Sequence, residues 1–128
     1  VINTVMGMAI DPETRRPIIG NVQGGLSGPA IKPIALLKVR QVWEVAGPRG
    51  IPILGQGGIT TVNDALEFLI AGATTLGIGT ALFYDPLICH KINEGITRYL
   101  AAHGMRHVSE LVGSMVLPED EATQSRAG

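Results

Sequence analysis

A chain of 128 residues is long enough to bury one hydrophobic core of its own. Its ten Lys and Arg nearly cancel its eleven Asp and Glu, leaving a formal net charge of -1, which argues against a nucleic-acid surface or an acidic partner. Apolar residues make up 45% and aromatics 4%, the balance of small branched side chains packed between strands and helices, and no apolar run is long enough to span a bilayer. No charged-then-apolar leader opens the chain, so a soluble cytoplasmic protein is expected. The single cysteine, Cys89, excludes an intrachain disulfide or a cysteine-built metal centre. It lies between Ile88 and His90 in a helical pattern and is read as a packed core thiol.

Val1-Ile2-Asn3-Thr4 reads as a strand with no initiator methionine and no cap before it, so a further segment is expected upstream. Apolar arms at 5–10 and 17–22 flank Asp11-Pro12-Glu13-Thr14-Arg15-Arg16. That pattern predicts a hairpin-like excursion over the mouth of the sheet, with Arg15 and Arg16 as solvated loop charges. Residues 24–33 form a glycine-rich turn. Pro33 suits the first turn of a helix whose buried stripe is Leu36, Val39, Trp43 and Ala46, and Gly47-Pro48-Arg49-Gly50 breaks it.

The run 51–54 is short and apolar and stops at glycines, as a strand buried on both faces should. Thr60 or Thr61 then offers an N-cap, Asp64 places a carboxylate in the first helical turn, and Gly72 stands where a left-handed cap ends the helix. Between the caps Val62, Ala65, Leu66 and Leu69 share one face. A second buried run, 74–78, ends in Gly79-Thr80. Asp85-Pro86 predicts an N-cap and first helical residue for a helix carrying Ile88, Ile92, Ile96, Tyr99 and Leu100 to an end near Gly104. Val108, Leu111, Val112 and Met115 predict a last short helix. Residues 1–116 thus form one unit, and 117–128 a polar tail expected to be disordered.

Two successive strands each deliver a small glycine turn at their C-terminal ends, Gln56-Gly57-Gly58 and Gly79-Thr80. Glycine lets an oxyanion approach backbone N–H groups, and the following helix start adds its positive dipole end. The turn ending in Ser27-Gly28 feeds a helix in the same way, and Ser27 could add a hydroxyl. Glycines also serve simply to make tight turns between strand and helix. Two such turns together favour a phosphate site, one built without a lysine. Strand, turn and helix recur three times, which is an α/β pattern with parallel strands. A closed barrel takes eight strands and about 250 residues, so the chain is either part of a TIM (β/α)8 barrel or a small open sheet.

The ordered set Ile2-Asn3-Thr4, then Gly24-Gly25-Leu26-Ser27-Gly28-Pro29-Ala30-Ile31-Lys32-Pro33-Ile34-Ala35-Leu36, then Gly57-Gly58-Ile59, then Gly79-Thr80 resembles the C-terminal part of dihydroorotate dehydrogenases. It looks most like their class 1 B-type branch. The likeness runs from Val1 to about Met115, and the stretch 24–36 is its specific part.

The resemblance implies a β/α barrel holding FMN at the C-terminal ends of its strands, with Ile2 beside the flavin. Gly28, Gly57, Gly58, Gly79 and Thr80 would contact FMN, chiefly its phosphate, and Asn3 and Thr4 would bind the pyrimidine substrate. An amide suits such a ring because it offers a donor and an acceptor on one planar group. The implied reaction is oxidation of dihydroorotate to orotate in pyrimidine biosynthesis, with electrons passed to an iron–sulfur FAD subunit and NAD, in a homo-oligomer. The family's B-type base is a cysteine on a loop from the earlier half of the barrel, and it has no counterpart here. Cys89 lies in the wrong segment, so no catalytic base is assigned and the chain alone is expected to be inactive. A dihydropyrimidine dehydrogenase-like reduction of uracil-type rings, or a non-catalytic flavin- or phosphate-binding part-barrel, are the alternative readings.

Overall fold

The computed structural model describes Ile2 and residues 4–118; Val1, Asn3 and residues 119–128, which include most of the predicted tail, lie outside the described residues. β1 (Val5–Gly7) pairs antiparallel with β4 (Gly24–Leu26), and β2 (Ile10–Asp11) with β3 (Arg16–Pro17). The excursion is therefore a hairpin. Its turn is closed by Asp11, whose carboxylate accepts from the Thr14 hydroxyl at 2.7 Å and the Glu13 amide at 3.0 Å, while Arg15 and Arg16 stay exposed.

The strand predicted over 1–4 differs: Ile2 and Thr4 belong to no strand. Strand pairing begins at Val5, opposite Leu26, and is antiparallel. Ile2 instead packs against the main core. Among the described residues one parallel pair remains, β5 (Leu54–Gln56) beside β6 (Thr75–Gly77), joined through α2 (Val62–Ala71).

β5 starts later than the run 51–54 suggests. Ile53 still bonds across to Thr74, its carbonyl accepting from the Thr74 amide at 2.9 Å and its amide donating to the Thr74 hydroxyl at 2.8 Å. Nor is the strand buried on both faces: Ile53 is buried, but Leu54 is 47% exposed. Successive strand residues face opposite sides, and helices cover only one.

α1 (Lys32–Ala46), α2 and α3 (Ile88–Ala102) lie side by side, and α1 and α2 pack on the strand pair. The core joins Val39 from α1, Phe68 from α2 and Ile92 from α3 to Ile53 and Ala73; a smaller cluster puts Leu66 and Leu69 on Leu111. Phe68 and Val39 are fully buried, each contributing roughly 2 kcal/mol by removal from water. The predicted α1 stripe is Val39 in full and Leu36, Trp43 and Ala46 in part, with Ala35 added.

Local signals set α2 at both ends. Thr61 accepts from the Asp64 amide and Asp64 returns a bond to the Thr61 amide, a complete capping box. At the other end Gly72 (φ 122°) donates to Leu69 and Ala73 donates to Phe68, the paired bonds of a Schellman end.

α3 starts two residues beyond Pro86. The Asp85 carboxylate accepts from the Leu87 amide at 3.1 Å, which closes a turn before the helix rather than capping its first turn. Ile88 and Ile92 are buried as expected, but Cys89 is exposed, a correction to its reading as a core thiol. One residue is 100° of helical rotation, enough to carry it off the buried stripe. The last predicted helix is reduced to one 3-10 turn, Val108–Glu110, after which Leu111 still reaches the core. Among the described residues no helix is long and apolar enough to cross a membrane.

Candidate functional site

The C-terminal ends of β5 and β6 open into a cleft of about 400 Å³. Three chain segments converge on it: Ser27-Gly28-Pro29 before α1, Gly57-Gly58 between β5 and α2, and Gly79-Thr80 after β6. Thr4 completes one wall and Tyr84, 85% exposed, stands at the rim. Among the described residues, none that lines the cleft carries a charged side chain. An anion in this cleft would therefore be held by backbone N–H groups, hydroxyls and the positive end of α2.

Gly57 (φ 119°) and Gly58 (φ 81°) both adopt a backbone that side chains disfavour, and both are hemmed in. A Cβ on Gly57 would stand 2.9 Å from Ala35 Cβ, and one on Gly58 2.6 Å from the Gly28 carbonyl oxygen. The two glycine turns thus touch backbone to backbone. Across the cleft the Thr80 hydroxyl donates to Ser27 Oγ at 3.2 Å, tying the third segment to the first.

Behind this wall lies an ion pair. Lys32 Nζ donates to Asp64 Oδ1 at 2.6 Å and reaches the Glu67 carboxylate at 3.0 Å. Asp64 Oδ2 accepts from the Thr60 amide (3.0 Å), the Thr60 hydroxyl (3.0 Å) and the Thr61 amide (2.9 Å). The Asp64 side chain is 11% exposed and that of Lys32 24%. Burial by itself pushes the Asp64 carboxyl up, but the Lys32 ammonium and the Thr60 and Thr61 donors outweigh it and hold it well below its ordinary 3.8. Hydrogen bonds to Asp64 and then Glu67 raise Lys32 above its ordinary 10.5.

A carboxyl depressed on folding contributes stability that is complete above about pH 4 and is lost as pH falls through its folded value. The raised ammonium contributes below about pH 10 and loses its share as pH rises through its folded value. The pair is intact across the neutral range. On acidification the wild-type melting temperature is expected to fall by more than that of Asp64→Asn, which has no carboxyl to protonate. Asp11, Asp85 and Glu110 are also depressed but are common to both proteins. Equal acid slopes would disprove the link.

Of the residues singled out from the sequence, Gly28, Gly57, Gly58, Gly79, Thr80 and Thr4 all line the cleft. Ile2 does not; its side chain packs on the core, and its carbonyl lies 3.1 Å from where a Cβ of Gly57 would be. Asn3 lies outside the described residues. Tyr84 and the Lys32–Asp64 pair escaped sequence reading. Nothing local marks Tyr84, and the pair joins residues 32 apart in sequence.

The sequence model of the family described as dihydroorotate dehydrogenase matches residues 1–100. The chain belongs to that family. It is 53% identical over 116 residues to the dihydroorotate dehydrogenase B (NAD(+)) catalytic subunit of Geotalea uraniireducens, a match covering 91% of this chain and 37% of that protein. The protein of the same name from Trichlorobacter lovleyi is 52% identical over 115 residues, covering 90% of this chain and 37% of the relative. The chain thus spans well under half the length of these relatives. Among solved structures it resembles DHODH from Eimeria tenella, crystallised with ferulenol, at a TM-score of 0.67 and 24% identity over 84% of this chain and 29% of that one. That likeness concerns the fold, and with the family it places the chain in a β/α-barrel-type architecture.

Proposed function

We infer that residues 1–116 are the C-terminal portion of an FMN-binding β/α barrel, and that the parent protein oxidises dihydroorotate to orotate in pyrimidine biosynthesis. The observation that carries this is the convergence of Gly28, Gly57-Gly58 and Gly79-Thr80 on one uncharged cleft. A phosphate fits such a place: bare glycine backbone lines the cradle, and a Cβ at Gly58 would collide with the Gly28 carbonyl oxygen in its wall.

In this reading Gly28, Gly57, Gly58, Gly79 and Thr80 hold the phosphate of FMN, and Ile2 borders the flavin. Asn3 and Thr4 orient the pyrimidine ring, where unpaired polar groups would penalise a wrong ring. FMN, when bound, supplies the acceptor for the hydride leaving dihydroorotate. The base that takes the accompanying proton belongs to the part of the relatives' length that this chain does not span. Cys89, exposed on α3, does not fill that role. The relatives' names, each a catalytic subunit of an NAD(+) enzyme, support a partner subunit; in this reading that partner is an iron–sulfur FAD protein that relays electrons to NAD. In this reading the parent is a cytoplasmic homo-oligomer.

FMN titration of this chain, followed by flavin fluorescence with inorganic phosphate as competitor, tests the reading. Binding that weakens as phosphate is added is expected. A folded chain that binds neither FMN nor phosphate would remove the site from this segment.

A further inference from the structure

We propose that Lys32 is a positioning residue: through Asp64 it sets the spacing of the Gly28 and Gly58 turns, and so the width of the anion cradle, without itself meeting the anion. The proposal rests on the anion-site reading of the cleft. Lys32 is absent from the cleft lining, although its backbone N would lie 3.1 Å and its Cβ 3.0 Å from a Cβ placed on Gly58. Its ammonium is engaged behind the wall by two carboxylates, Asp64 at 2.6 Å and Glu67 at 3.0 Å. One positive charge between two negative ones leaves none over for a ligand.

Asp64 works in two directions. One oxygen takes the ammonium from the first residue of α1, and the other gathers three donors from Thr60 and Thr61, the segment that leaves the Gly57-Gly58 turn. A single carboxylate therefore ties the start of α1 to the exit of the neighbouring turn. At the cradle itself Gly28 and Gly58 meet with no side chains between them, so no interdigitation fixes their distance. The ion pair supplies that constraint from one helical turn away. An oxyanion needs its donors within about 2.7–3.1 Å, so a small drift of either turn costs contacts.

Native-state hydrogen exchange followed by NMR, with no ligand present, reads the clamp directly. In Lys32→Met the Thr60 and Thr61 amides are expected to exchange about tenfold faster or more, while the Ala73 and Gly113 amides, bonded to Phe68 and Leu69, keep their rates. Lys32→Arg restores protection. Inorganic phosphate is then titrated into the same folded proteins: Lys32→Met binds about tenfold more weakly and Lys32→Arg within about twofold of wild type. If Lys32→Met does not fold, Lys32→Gln takes its place. Faster exchange spread evenly over the chain, or a lowered melting temperature with unchanged exchange pattern and phosphate affinity, would make the pair a stabilising contact only and overturn the proposal. A wild-type chain that binds no phosphate would count against the anion site alone, since exchange decides the clamp without a ligand.

Discussion

Gly58→Val is expected to abolish phosphate-sensitive flavin binding, weakening it about a hundredfold or more, which is about 2.7 kcal/mol. Two independent constraints meet at this residue. Its φ of 81° lies where a β-branched side chain is a genuine outlier. Its Cβ would also stand 2.6 Å from the Gly28 carbonyl oxygen and 3.1 Å from the Lys32 amide nitrogen. Both are backbone atoms, so no rotamer change relieves the overlap and one turn of the cradle must move. Once it moves, N–H groups of Gly57 and Gly58 no longer point where an oxyanion sits. The FMN titration with phosphate as competitor measures the effect, with circular dichroism to establish that the variant folds. Gly20→Ala is the control, because Gly20 is exposed and a Cβ there meets nothing within 4 Å. A folded Gly58→Val chain that binds as tightly as wild type would place the phosphate elsewhere.

Gly72→Ala is expected to be the most damaging single-methyl change to stability, at about 3 kcal/mol and a melting temperature lower by on the order of 10 °C. Gly72 ends α2 at φ 122°, so alanine there strains the backbone. A Cβ would also overlap Cγ of Trp43, whose indole fills a slot bordered by Gly47, Gly72 and Gly113. Retreat of the indole away from Gly72 is blocked on its far side, where a Cβ on Gly113 would overlap it as well. Moving Trp43 therefore disturbs three places together: α1, the end of α2, and the C-terminal segment that Gly113 ties to the Leu69 carbonyl at 3.0 Å. Thermal unfolding of Gly72→Ala beside Gly20→Ala tests this. Equal melting temperatures would show that the slot is looser than its geometry indicates.

The features legible in the sequence share one property: they are decided within a few residues. Thr61, Asp64 and Gly72 as the caps of α2 follow from which side chains satisfy the free ends of a helix, a matter of one turn. The hairpin around Asp11 and the glycine turns at Gly28, Gly57 and Gly58 are set by local dihedral needs. Errors came where a local signal was extended to burial. Cys89 borrowed its expected burial from Ile88, yet the helix turns it to solvent. Leu54 ends an apolar run, yet it is exposed, because α1 and α2 cover only the Ile53 side of the strand pair. Asp85 kept its capping chemistry but spent it on a turn before α3.

The amino-acid sequence by itself determined the glycine turns, the three long helices and the caps of α2, because each depends on short-range sterics and hydrogen bonding, and it carried the motif order that resembles the dihydroorotate dehydrogenase family. Only the tertiary structure decided that three of those turns line one cleft, with no charged side chain among its described lining residues, and that Lys32 faces Asp64. Both outcomes join segments about twenty residues or more apart in sequence, brought together by packing α1 and α2 side by side on β5 and β6. Side-chain periodicity shows which face a helix buries; it does not show which distant side chain lies opposite it.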